Sequence, residues 1–106
     1  MSRVRFVVIL DDQVYSHFSA IPRQDHSVLL DIVEQQLTTE PVVQTRNRKP
    51  VRIPNTVGAT WELRCGRNNR YRIFYDVDIE TRVVVVLAIG VKIRNRLMIG
   101  GEEFIL

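Results

Sequence analysis

Residues 60–77 read TWELRCGRNNRYRIFYDV, two alternating stretches on either side of a turn. In the first, Trp61, Leu63 and Cys65 point one way and Thr60, Glu62 and Arg64 the other, the two-residue period of a half-buried strand. Gly66, Asn68 and Asn69 tolerate positive φ, which a tight hairpin requires. The second stretch sets Tyr71, Ile73, Tyr75 and Val77 on one face and Arg70, Arg72, Phe74 and Asp76 on the other. A second turn is expected over Asp78–Thr81. Arg82–Ile89 follows, rich in valine and apolar on both faces, as suits a central strand ended by Gly90. Residues 60–92 therefore read as a three-stranded antiparallel meander.

Upstream, Val4, Phe6, Val8 and Leu10 alternate with Arg5, Val7 and Ile9, so both faces are mostly apolar and the segment reads as a strand internal to a sheet. Asp11 or Asp12 caps a short helix carrying Val14, Tyr15, Phe18 and Ile21 on one side, stopped by Pro22. A longer helix starts from Asp25 as N-cap, with Val28, Leu29, Ile32, Val33 and Leu37 as its apolar stripe, and ends by Glu40. Pro41, Pro50, Pro54 and Gly58 mark a long connection with a short extended piece around Val51–Ile53. The order is β, α, α, β, β, β. That predicts an α+β fold: an N-terminal strand, a two-helix hairpin and a three-stranded meander in one sheet, with the helices packed on one face. The whole chain, 1–106, is read as one domain, since 106 residues at 45% hydrophobic fill one core and not two.

Composition excludes several classes. No apolar run approaches the roughly 18 residues of a membrane span, so no membrane contact is expected. Arg3 and Arg5 precede Val7–Leu10 as in a signal peptide, but Asp11 and Asp12 end that run early. The single cysteine fits a reducing compartment, and the expected location is cytoplasmic. His17 and His26 lie on the two helices and Cys65 matches no zinc spacing, so no metal is expected. No phosphate-binding glycine loop occurs, and no cofactor is expected.

Charge is the positive signal. Between Val42 and Tyr75 stand Arg46, Arg48, Lys49, Arg52, Arg64, Arg67, Arg70 and Arg72 against the lone acid Glu62. Such a stretch attracts polyanions, and with Trp61, Leu63, Tyr71, Ile73 and Tyr75 turned to the helices, Arg64 and Arg72 face outward together on an open sheet face. Arginine stays protonated and grips phosphate with a planar fork. A surface of this kind supports metal-free RNA cleavage by the 2′-hydroxyl, or phosphate binding alone.

The runs Trp61–Gly66, Arg70–Val77 and Val83–Lys92 resemble the three C-terminal strands of the RelE/ParE toxin superfamily of bacterial and archaeal toxin–antitoxin modules, and the element order is also that of the family. The basic run Thr45–Pro50 resembles the linker of a RelE-like subgroup. The resemblance implies a toxin held by a cognate antitoxin. A RelE-like member is a metal-independent endoribonuclease that cleaves mRNA in the ribosomal A site and meets DNA only through the antitoxin complex. A ParE-like member inhibits DNA gyrase without cutting RNA, and a degenerate member serves as antitoxin partner and co-repressor.

By the same resemblance, Arg64, Arg72 and Lys92 are the catalytic, phosphate-contacting residues and Arg94 a further RNA-binding one; the basic stretch adds Arg46, Arg48, Lys49, Arg52 and Arg70 as RNA-binding residues. The chain departs from the best-defined nucleases at Thr60 and Glu62, where they carry lysines, and at Met98, where they carry a tyrosine. Tyr71, Tyr75, Glu62, Glu102 and Glu103 are the alternatives for proton transfer.

Overall fold

A computed structural model describes residues 4–52 and 55–104. The elements run β1 (Val7–Leu10), α1 (Asp12–Phe18), α2 (His26–Leu37), β2 (Arg48–Pro50), β3 (Trp61–Cys65), β4 (Tyr71–Asp78), β5 (Val83–Ile93), β6 (Arg96–Ile99) and β7 (Glu102–Phe104). The order β2-β3-β4-β5-β6-β7 is antiparallel throughout, and β1 joins β5 in parallel. The α+β class and the β3–β4–β5 meander are as expected, but the sheet has seven strands rather than four.

The β3–β4 turn is built as its residues dictate. Gly66, Asn68 and Asn69 all take positive φ, and a Cβ on Gly66 would meet the Tyr71 ring at 2.6 Å. The main core lies between sheet and helices: Val14, Leu29, Val33 and Leu37 pack on Leu63, Tyr71, Ile73, Tyr75, Val84, Val86 and Ile89. Asp11 caps α1 by accepting from the Gln13 N–H at 3.3 Å. Asp25 precedes α2 but makes no capping bond; its carboxylate accepts from the Tyr71 hydroxyl instead.

Three expectations are corrected. β1 is an edge strand: among the described residues it pairs with β5 alone, and while Val8 and Leu10 pack on the helix-side core, nothing covers the other face, where Val7 and Ile9 are 62% and 49% exposed. Gly90 does not end β5, which runs to Ile93; Gly90 lies under the side chains of Leu97 and Ile99, which an added Cβ would crowd. The extended piece of the long connection is β2 at Arg48–Pro50, upstream of the expected Val51–Ile53, whose last residue lies outside the described ones.

The sheet face away from the helices is also not open along its length. Phe74, Ala88 and Ala59 form a second, smaller core with Val51, Val57, Leu87, Leu97 and Ile99, and the Phe104 ring centroid lies 6.1 Å from that of Phe74. Among the described residues no helix is long and apolar enough to cross a membrane.

Candidate phosphate-binding site

Arg64 on β3 and Arg72 on β4 are direct cross-strand partners. Residues paired this way share a face with Cβ atoms about 5 Å apart, so two like charges repel unless an anion lies between them. Glu62 supplies it. One oxygen, Oε1, accepts from Nε of Arg64 and from Nε of Arg72, each at 3.2 Å. Arg72 is only 7% exposed, and its Nη1 donates to the carbonyl oxygens of Tyr71, at 3.2 Å, and Asn69. Burial, then the neighbouring Arg64, lowers the Arg72 pKa, while Glu62 opposes the shift.

The sheet continues the row. Arg72 pairs with Gly90, and Lys92, two residues along β5, points to the same side and is exposed. Its Cα lies on the diagonal from Arg72, about 7–8 Å away, within reach of two long side chains. Arg64, Arg72 and Lys92 are thus brought onto one face.

The other cations divide. Lys49 pairs with Glu62 across β2–β3, which puts it on the arginine face, exposed. Arg46, Arg52 and Arg94 are exposed, the last at the β5–β6 turn. Arg70 is exposed, and its guanidinium lies 5.5 Å from the Tyr71 ring centroid. Arg48 is not a surface residue. It is 2% exposed, donates to the Val43 carbonyl at 3.0 Å and to Gln36 Oε1, and lies 3.9 Å from Glu40. Its charge ties the connection to α2 and is unavailable to RNA.

The alternatives for proton transfer separate as sharply. Tyr71 and Tyr75 point into the helix-side core. Burial and the bond to Asp25 push the Tyr71 hydroxyl up to about 12, and burial raises Tyr75, whose hydroxyl donates to the Pro41 carbonyl at 2.6 Å. Cys65 is likewise pushed up to about 12 by burial, so its thiol stays protonated. Met98 pairs with Val91 and Glu103, which places both Met98 and Glu103 on the helix side of the sheet; on the arginine side β6 offers Leu97 and Ile99. Glu102 shares the row of Arg72 but stands three strands away, about 14 Å at ordinary strand spacing.

Glu62 is the residue whose role sequence reading missed. The signal was present: Glu62 and Arg64 share a strand face, and the Gly66–Asn69 turn brings Arg72 beside them. Among the described residues no three His, Cys, Asp or Glu side chains group to hold a metal ion.

One face of this α+β sheet therefore carries two in-register arginines with a third cation diagonal to them. The fold is similar to that of a chain in the crystal structure of the toxin–antitoxin complex RelBE2 from Mycobacterium tuberculosis. The TM-score is 0.68 and the identity 24%, covering 84% of this chain and 100% of that one. No protein-family model matches the chain, and none of the curated proteins does.

Proposed function

We propose that this protein is a RelE-like toxin that stops translation by binding mRNA at the ribosome and promoting its cleavage, and that a cognate antitoxin restrains it. The observation that carries the reading is the in-register pair Arg64–Arg72 with Lys92 on the same face. Such a cluster holds a phosphodiester in place and offsets the negative charge that builds up as the 2′-hydroxyl attacks. The fold shared with a chain of a toxin–antitoxin complex supports the same class and an antitoxin partner. DNA contact would come through the antitoxin.

Primer extension on mRNA from cells expressing the protein tests it. Discrete breaks within codons, lost in Arg72→Ala, are expected. Growth arrest with intact messages overturns cleavage.

One observation favours a second reading, inhibition by binding alone. Neither tyrosine of β4 nor position 98 faces the cations, so the proton-transfer groups available to a nuclease on this face are few. Supercoiling assays with purified gyrase separate a gyrase-directed inhibitor from one acting on the ribosome; undiminished supercoiling at saturating protein excludes the former.

A further inference from the structure

We propose that the Glu62 carboxylate is a built-in stand-in for the substrate phosphate. It fills the Arg64–Arg72 site in the free protein and hands that site over, moving toward Lys49, when a phosphodiester of single-stranded RNA binds. The inference rests on the reading of this face as the RNA-binding one.

A single carboxylate oxygen bridging two guanidinium groups makes the contact that a phosphate oxygen would make between the same arginines. The acceptor is needed because Arg72 is almost wholly buried and bulk water solvates its charge poorly. The site nevertheless does not depend on Glu62 for its shape. Arg72 is also held by the carbonyls of Asn69 and Tyr71, so its guanidinium keeps its place when the carboxylate leaves.

The receiving group is present. Lys49 lies directly opposite Glu62 on β2, on the same face, and among the described residues it makes no ion pair. Cross-strand partners are within side-chain reach. The exchange leaves no cation or anion of the site without a partner: the carboxylate passes from the arginine pair to the lysine while the phosphodiester takes the pair.

The test measures binding alone, with a fluorescein-labelled, 2′-O-methylated RNA hexamer that cannot be cleaved, by anisotropy at low salt and without ribosomes. Glu62→Gln should bind about tenfold tighter than the natural protein, since the competing anion is gone. Glu80→Gln, the same charge change in the exposed β4–β5 turn, should gain far less. In an Arg72→Ala background the gain from Glu62→Gln should vanish. Lys49→Ala should weaken binding in both backgrounds, as loss of any cation on this face does, but about threefold more when Glu62 is present than in Glu62→Gln.

Weaker or unchanged binding by Glu62→Gln overturns the proposal, as does an equal gain from Glu80→Gln. A Lys49→Ala loss of the same size in both backgrounds overturns the handover. If neither the natural protein nor Glu62→Gln binds the hexamer, the anion site itself is refuted. Cleavage of mRNA is decided separately by primer extension, so the two readings fail independently. Melting curves confirm that each variant is folded, and Glu62→Ala repeats the key comparison.

Discussion

Two buried arginines, Arg48 in the connection after α2 and Arg72 in the middle of the sheet, began as members of one basic stretch and have opposite fates. Arg48 is enclosed and spends its guanidinium on Val43, Gln36 and Glu40, fastening β2 to the helix. Arg72 is nearly as buried, but its partners lie on a face that also carries Arg64, Lys49 and Lys92. One cation closes a structure; the other ends in a cluster facing solvent. Arginine density alone does not tell them apart, because the difference lies in what packs around each side chain.

Deleting each arginine in turn should give the largest and most opposed effects. Arg48→Ala should lower unfolding free energy by about 3 kcal/mol in urea titrations, since it empties the space of a side chain only 2% exposed and removes its bonds to Val43 and Gln36. The fraction that remains folded should bind RNA with unchanged affinity. Arg72→Ala should do the reverse, reducing RNA affinity and growth inhibition about 10–100-fold at a smaller cost in stability. If Arg48→Ala weakens binding per folded molecule, the division between the two regions is wrong.

Gly90→Ala should destabilise by about 1–3 kcal/mol through overpacking. The new methyl would lie 2.8 Å from Leu97 Cδ1, 3.1 Å from Ile99 Cγ1 and 3.2 Å from the Met98 carbonyl oxygen. Glu62→Gln should cost about 1–2 kcal/mol, at the low end for an ion pair because Arg64 is 41% exposed. Loss of stability joined to gain of affinity is the signature of a carboxylate that competes with substrate.

The smallest effect concerns pH and the gap between β1 and β6 on the flank of β5. There the buried His17 Nδ1 accepts from the Ile89 N–H at 3.2 Å. Burial lowers the His17 pKa, with Asp11 opposing. The folded state therefore prefers the neutral ring. Its contribution is full above the ordinary value of 6.5 and is lost as pH falls through the lower folded value. Denaturant titrations from pH 8 to pH 5 should show that decline, and His17→Asn, which keeps an acceptor without the titration, should flatten it.

Much of the fold was legible because its signals are local. The alternation of Trp61, Leu63 and Cys65 against Glu62 and Arg64, the positive φ at Gly66, Asn68 and Asn69, and the stripe of Leu29, Val33 and Leu37 depend on near neighbours in the chain. The β1 edge and strands β2, β6 and β7 were not legible, since each is defined by its pairing partner more than by its own short run. The same holds for the site. The sheet register places Arg64, Arg72 and Lys92 on one side, whereas Met98 turns to the other.

By itself the sequence determined that a meander would form and that one of its faces would carry Arg64 and Arg72, because strand periodicity and turn chemistry are properties of neighbouring residues. The burial of Arg48, the pairing of Lys49 with Glu62 and the bridge from Glu62 to the arginine pair follow from long-range packing instead. Burial and cross-strand pairing bring together residues far apart in the chain, and their energies depend on everything packed around them.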